Sequence, residues 1–420
     1  MKLMRSWVES ANNPESEFPL NNLPYGVFSV AGDEPRCGVA IGDMILDVAA
    51  MEAAGLLRIA DDPVLDVPFW NEVMELGPEA WGRLRVMLFG FLGEGAESRG
   101  LVANYLIPQA KARMHMPFLV AEYTDFYAGM QHAKNMGAIL RGSQDLPANW
   151  LHIPIGYNGR ASSVVVSGTD IHRPLGQTKT PEAQLPSFGP SKRLDIELEI
   201  GAIVGTGSTL GQPITTAEAD EMIFGYVLLN DWSARDIQGW EYQPLGPFQG
   251  KAFGTTISPW IVTSAALEPF RCAAPDRETP LLPYLHEKRS GFFNVDLEVQ
   301  MQPNGAKRAS TIARTNYNRV YYSAAQQLTH HAVCGCEMNP GDLLGSGTIS
   351  GPERSEFGSL MELSWAGKEP FTLETGETRA FIEDGDTLTL RGHAQGDGYR
   401  VGFGECSGRI LPAVKMPGWE

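Results

Sequence analysis

The stretch DIELEIGAIVG, residues 195–205, sets Asp195, Glu197 and Glu199 in alternation with Ile196, Leu198 and Ile200. Alternate residues of a strand share a face, so three acids line one side at spacings of about 7 Å. Like charges at that distance repel. Either the face is open to water, as in a half-buried antiparallel strand, or something of opposite charge sits against it. Three more stretches concentrate unusual side chains. YTDFYAGMQHAKNMG (123–137) holds Asp125, Tyr127 and His132 among aromatic and small residues. LNDWSARDIQGWEYQPLGPFQGKAFGTTISPW (229–260) places Asp231 after the apolar run YVLL, at the end of a buried strand. Arg235, Gln238, Tyr242 and Lys251 then follow in a loop rich in glycine and aromatics. GTISGPERSEFGSLMELSW (347–365) sets Glu362 between Met361 and Leu363. Singly, each has a plain explanation: a satisfied core histidine, Asp231 as a helix N-cap before WSARDIQ, Arg235 and Lys251 as surface charges. Together they are the residue types that rigid scaffolds present on catalytic loops.

The elements that would position them are mostly strands. Short β-type runs punctuated by Gly and Pro follow one another beyond residue 117: SSVVVSG, DIELEIGAIVG, GYVLLNDWS, GTTISPWIV, FNVDLEVQMQ, GDTLTLRGHA and GYRVGFGECSG. Strand–helix alternation is absent, so a doubly wound parallel sheet is disfavoured. The reading is mainly β with some α: a small β-rich domain over 1–116 and a large, mostly antiparallel β-domain over 117–420. GVFSVA, RCGVAIG and MILDVA are the strands of the first. EAWGRLRVMLFGFLGE (79–94) is its helix, with Trp81, Leu84, Leu88 and Leu92 at helical spacing. YYSAAQQLTHHAV (321–333) reads as a helix packed on the second domain.

Composition narrows the class. The chain has 420 residues, 43% of them hydrophobic, and a formal charge of −17. Two domains and a large core are expected. No long basic run occurs, so nucleic acid is not an expected partner. An anionic substrate would need a local cationic pocket or a metal to overcome the overall field. Five scattered cysteines, the lack of a signal-like N-terminus and the shortness of the longest apolar run point to a cytoplasmic protein with no membrane span. GTGSTLG, GSGTISG and GFGECSG each carry one residue too many between the second and third glycine for a dinucleotide fingerprint, and read as turns. HHAVCGC (330–336) matches no structural zinc spacing and reads as a helix end. No G-x-S-x-G or H-E-x-x-H occurs.

These stretches, with PIGYNGRASSVVVSGT (154–169), LDIELEIG, GDLLGSGTISGPE and GDGYRVGFGECSG, resemble the fumarylacetoacetate hydrolase family along nearly the whole chain. Asn158, where many members carry His, is a small departure. The resemblance implies an N-terminal SH3-like β-barrel, a C-terminal β-roll and a homodimer. It implies hydrolysis of a carbon–carbon bond in a small diketo acid. Asp125, Glu197, Glu199 and Asp231 are then ligands of one divalent cation, Ca²⁺ or Mg²⁺, as an all-oxygen set selects a hard ion. Lys251, Gly254 and Thr255 match a second magnesium position. His132 matches the base that activates water, oriented by Glu362, and Arg235, Gln238 and Lys251 match donors to the oxyanion. Tyr127, Arg141, Tyr157, Gln238, Tyr242 and Thr348 match positions lining the substrate. Asp195 is left as a solvated or strand-end acid. A metal-dependent enzyme acting on another acylpyruvate or diketo acid shares the carboxylates but, as a decarboxylase, needs no base at His132. A non-catalytic metal-binding relative would be expected to have lost His132, Glu362 or Lys251.

Overall fold

The structure is a computed structural model and describes residues 2–417. Its first part is an antiparallel sheet of β1 (Tyr25–Val30), β2 (Arg36–Ile41), β3 (Met44–Leu46), β4 (Leu106–Pro108) and β5 (Ala112–His115), ordered β4-β3-β2-β1-β5. Helix α1 (Gly77–Leu92) lies between β3 and β4 in sequence and buries Leu84, Leu88 and Leu92, the stripe the spacing predicts. Trp81 is only partly buried, and its indole N–H donates to the carbonyls of Val73 and Met74, both at 3.0 Å.

The remaining chain supplies β6 (Tyr123–Phe126), β7 (Gly156–Asn158), β8 (Val164–Val166), β9 (Leu198–Val204), β10 (Ile223–Asp231), β11 (Thr255–Ile257), β12 (Asp296–Gln302), β13 (Ser310–Asn316), β14 (Leu343–Gly345), β15 (Thr387–Gln395) and β16 (Cys406–Leu411). One sheet runs β7-β6-β14-β9-β10-β11-β8, with β6/β14 and β11/β8 parallel and the other pairs antiparallel. A second runs β13-β12-β15-β16 and ends on the short strand Ile171–His172. The expected mainly-β architecture of a small β-domain and a large β-roll is what the chain adopts.

Strands β9 and β10 are buried at every residue. The alternation in DIELEIGAIVG therefore does not mark a face open to water. Both faces of the central strands are covered. Leu198, Ile200, Ala202, Tyr226 and Leu228 pack into a cluster with the second sheet and with helix α5 (Ala324–Ala332). Ile203, Val227 and Leu229, on the other face, join a cluster with Tyr25, Val39 and Leu88 of the N-terminal part. Helix α5 is shorter than its apolar pattern suggests. Ser323 accepts the N–H of Gln326 and Gln326 accepts the N–H of Ser323, and this reciprocal cap starts the helix after Tyr321 and Tyr322.

Tyr25 and Ile261 exchange backbone hydrogen bonds of 2.9 and 2.7 Å, which tie β1 to the large domain. Beside that bridge the Trp260 ring packs with Phe18, Phe28, Ala40 and Ile45. A Cβ on Gly26 would stand 2.5 Å from the ring, so only glycine lets the strand pass. Gly26→Ala is expected to lower stability by about 1–3 kcal/mol through overpacking. The denaturant midpoint should fall with an unchanged m-value, and turnover at the distant site should hardly move.

Candidate active site

The acids converge from three strand ends. Asp125 lies on β6, Glu199 on β9 with Glu197 just before it, and Asp231 is the last residue of β10. The register aligns Asp125 with Gly345 of β14 and Gly345 with Gly201 of β9. The N–H of Asp231 donates to the carbonyl of Glu197 at 3.2 Å. One carboxylate oxygen from each of the four acids lies within 4.8 Å of the others, and all four residues are buried. Gly345 makes this possible, since a Cβ there would lie 2.8 Å from Glu199 Oε2 and 3.1 Å from Asp125 Oδ1.

Asp125 Oδ1 and Glu199 Oε1 find no hydrogen-bond partner among the described residues. Buried carboxylate oxygens of that kind are costly unless a cation takes them up. Burial, and then repulsion from Asp231, pushes the Asp125 carboxyl well above the usual range. Burial and the charges of Asp125, Asp231 and Glu197 do the same to Glu199. Burial also raises Asp231, against the pull of Lys251. Glu197 is the exception: burial pushes it up, but Lys251 and Arg235 outweigh that and hold it low. An all-oxygen set with unpaired, mutually repelling members fits a hard divalent cation.

Two buried cations stand at the edge of the cluster. Lys251, on the short helix α4 (Gln249–Ala252), places Nζ in ion-pair contact with Glu197 Oε2 and Asp231 Oδ2. Arg235 opens helix α3 (Arg235–Glu241) and donates from Nη1 to Glu197 Oε1 at 2.7 Å and to Gln238 Oε1 at 3.3 Å. Thr255 Oγ1 donates to Asp231 Oδ1 at 3.2 Å, and Tyr157 Oη to Asp231 Oδ2 at 3.4 Å. Gly254 is buried next to Thr255, facing Ile171 and Trp232.

His132 sits on helix α2 (Met130–Arg141) and Glu362 on the short helix α6 (Leu360–Leu363), both buried. His132 Nδ1 meets Glu362 Oε2 at 2.6 Å. Burial pushes the Glu362 carboxyl up, but His132 and its hydrogen bonds hold it below the usual carboxylate range. An anionic Glu362 can only accept, so Nδ1 is the donor in this contact. Nε2 lies 3.9 Å from Glu197 Oε1, which joins the His–Glu pair to the acid cluster. The Tyr127 ring stands edge-on to His132 at 5.6 Å between centroids. Thr348 is buried with Oγ1 unpartnered among the described residues. Arg141 and Tyr242 lie outside this buried group. Arg141 is exposed and donates to the carbonyl of Asp145 at 3.2 Å, although its charge still reaches Tyr127. Tyr242 is 46% exposed on the loop after α3.

Asp195 corrects the sequence reading. It ends a two-residue strand, but it is fully buried and not solvated. The strand pattern breaks at Ile196 and Glu197, so its side chain does not continue the face of Glu197 and Glu199. It turns instead to Arg235 and to the N-terminus of α6. Other participants went unread. Glu362 also accepts from Asn135 Nδ2 at 2.7 Å, Ser350 Oγ at 3.0 Å and Ser359 Oγ at 2.7 Å. Asn135 is three residues beyond His132, on the same helix face, and Ser359 with Glu362 makes the S-x-x-E spacing of a helix start. Tyr123 shares a strand face with Asp125, and its buried hydroxyl has no partner among the described residues. His330 and His331, the zinc decoy, bond Tyr284 and Thr124.

Comparison with known proteins finds relatives of both parts of the chain. Residues 21–117 match the model described as fumarylacetoacetase N-terminal, and residues 122–410 match fumarylacetoacetate hydrolase C-terminal. The chain is 50% identical to the fumarylacetoacetase of Homo sapiens over 408 residues, 95% of this chain and 97% of that one. It is 48% identical to the fumarylacetoacetase of Arabidopsis thaliana over 422 residues, 98% of this chain and 100% of that one. In fold it is similar to a fumarylacetoacetate hydrolase from the psychrophile Exiguobacterium antarcticum, with a TM-score of 0.52 at 18% identity, covering 93% of this chain and 99% of that chain. With both domain models matched and half its residues shared with these relatives, the chain belongs to the fumarylacetoacetate hydrolase family.

Proposed function

We propose that this enzyme hydrolyses the carbon–carbon bond of fumarylacetoacetate to fumarate and acetoacetate, the step that closes tyrosine and phenylalanine breakdown. The observation that carries the reading is the junction at Glu197. A buried His–Glu pair reaches within 3.9 Å of a carboxylate that also belongs to the four-acid cluster. Such a junction suits water attack on a substrate held beside a cation. Asp125, Glu197, Glu199 and Asp231 would hold that ion, Ca²⁺ or Mg²⁺, with Lys251, Gly254 and Thr255 beside a second magnesium position. When bound, the ion supplies Lewis-acid polarisation of the diketone oxygens.

His132 Nε2 takes a proton from water, whose oxygen attacks the carbonyl carbon on the fumaryl side. Glu362 keeps Nδ1 protonated and stabilises the imidazolium that forms. The oxyanion accepts hydrogen bonds from Arg235, and from Gln238 and Lys251 beside it. As the tetrahedral centre collapses, the carbon–carbon bond breaks. Its electron pair leaves on the acetoacetate carbon as an enolate, which His132 then reprotonates. Tyr127, Tyr157, Tyr242 and Thr348 line the substrate. Among the described residues no helix is long and apolar enough to cross a membrane, and all five cysteines are free thiols. A cytoplasmic location and a homodimer belong to the same proposal and rest on the family likeness alone.

Purified protein mixed with fumarylacetoacetate should bleach the diketone absorbance, with activity lost to chelator and restored by Ca²⁺ or Mg²⁺. Full activity after exhaustive chelation would remove the cation from the reading. Glu199→Gln relieves repulsion in the metal-free protein but removes a ligand. Its melting temperature in chelator should equal or exceed that of the parent. In saturating cation the order should reverse, because a bound ion stabilises by about 2.7 kcal/mol at one hundred times its Kd.

His132→Ala should lower kcat by about 10²- to 10⁴-fold with a smaller change in KM. Glu362→Gln cannot stabilise the imidazolium and should also slow turnover. The double variant should be little slower than His132→Ala alone, since the two act as a unit. Multiplicative losses across the four rates would separate them.

Arg141 is the proposed grip on the distal fumarate carboxylate, as a guanidinium can hold a carboxylate with two parallel bonds. Arg141→Lys should lower kcat/KM strongly for fumarylacetoacetate and little for a diketo acid without that carboxylate. Equal losses on both substrates would take Arg141 out of this role.

A further inference from the structure

Asp195 is as fully occupied as Glu362, which also accepts from four donors. It is fully buried, and its two oxygens accept from four donors. Oδ1 takes the N–H of Ile196 at 2.8 Å and of Leu360 at 2.6 Å. Oδ2 takes the N–H of Met361 at 3.0 Å and Nε–H of Arg235 at 2.8 Å. Through two of these bonds it fixes the start of α6, the helix that carries Glu362. Through the fourth it fixes the plane of the Arg235 guanidinium.

Arg235 is held at both ends of that plane. Nε is bound by Asp195, while Nη1 is bound by Glu197 and Gln238. Nη2 is buried and has no hydrogen-bond partner among the described residues. A charged donor left unpaired in a low-dielectric interior is costly, and is retained where another acceptor takes it up. An arginine needed only to neutralise Asp195 and Glu197 would have no use for a spare, rigidly held N–H.

We infer that Asp195 is a positioning residue for the hydrolysis: by clamping Nε it aims the unpaired Nη2–H of Arg235 at the oxygen anion of the tetrahedral intermediate. The inference rests on the proposed role of Arg235 as an oxyanion donor. Glu197 alone cannot do this work, because a guanidinium held only at Nη1 is free to pivot about that contact. The bond at Nε removes the pivot. Asp195 thus differs from its neighbours in the acid run. Glu197 and Glu199 belong to the four-acid cluster, whereas Asp195 holds the guanidinium at the edge of that cluster.

The test is a cycle of Asp195→Asn, Arg235→Lys and the double variant. It is read by kcat, by KM, and by the affinity of a phosphinate analogue whose tetrahedral phosphorus carries the oxyanion. The asparagine is isosteric but sets an N–H against Nε–H and the N–H of Met361. Removing one oxyanion donor typically costs about 10²- to 10³-fold, and misaiming one by about 1 Å about 10²-fold. Asp195→Asn should therefore lower kcat by about 10- to 100-fold and weaken phosphinate binding in proportion. Binding of acetoacetate, which has no tetrahedral oxyanion, should be unchanged. In the Arg235→Lys background, Asp195→Asn should add little. Losses that multiply, or equal losses for phosphinate and acetoacetate, would make Asp195 a structural cap and overturn the inference. If Arg235→Lys itself leaves kcat and phosphinate affinity intact, the oxyanion role of Arg235 fails, and the inference falls with it. Should Asp195→Asn not fold, Asp195→Ser, whose hydroxyl can still accept at α6, is carried through the same cycle with the same two outcomes.

Discussion

Four carboxylates with oxygens inside a 4.8 Å span, all buried, are the constraint on which the site depends. Removing one such charge from water is expensive, and four together repel. Proton uptake or a compensating positive charge makes the arrangement tenable. Lys251 and Arg235 supply part of that charge: Lys251 is spent on Glu197 and Asp231, and Arg235 on Glu197 and Asp195. Asp125 and Glu199 are left with unsatisfied oxygens and the strongest upward shifts. The deficit is therefore local, on the β6–β14–β9 side of the cluster.

Keeping those charges out of water requires a sheet covered on both faces. β9 and β10 meet that need by being central in their sheet and sandwiched between two apolar clusters. The N-terminal part is structural in this sense. Its strands and α1 cover the face on which Ile203, Val227 and Leu229 lie, which is also the face that runs on to Glu199 and Asp231. The backbone bridge at Tyr25 and Ile261 and the Trp260 ring keep that cover in place.

A second network adjoins the four-acid cluster at Glu197. Glu362 gathers His132, Asn135, Ser350 and Ser359, so its carboxylate stays anionic in spite of burial. Asp195 gathers the first N–H groups of the same short helix and the guanidinium of Arg235. A four-residue helix has little stability of its own. Its position is set by those two buried carboxylates, one at its start and one within it. The placements of His132 and Arg235 are thus mechanically joined through α6.

Much was legible from residue types alone. Acids spaced by two in a strand, an acid ending the apolar run YVLL, and a histidine in a loop of small and aromatic residues are local patterns, and local patterns survive in one dimension. The mainly-β class and the stripe on α1 are legible for the same reason, since periods of 2 and 3.6 follow from backbone geometry. Whether DIELEIGAIVG faced water was not legible, because alternation looks the same whether the second face meets solvent or another part of the chain. The tertiary structure decided it by placing the N-terminal cluster there. The fate of Asp195 was hidden for a related reason. Its partners are 40 and 165 residues away, and the strand breaks just after it, so periodicity assigned it to the wrong face. The residue types by themselves determined which chemistry was possible. Long-range packing decided which carboxylates cluster and which one binds an arginine, because both depend on distances that no spacing along the chain encodes.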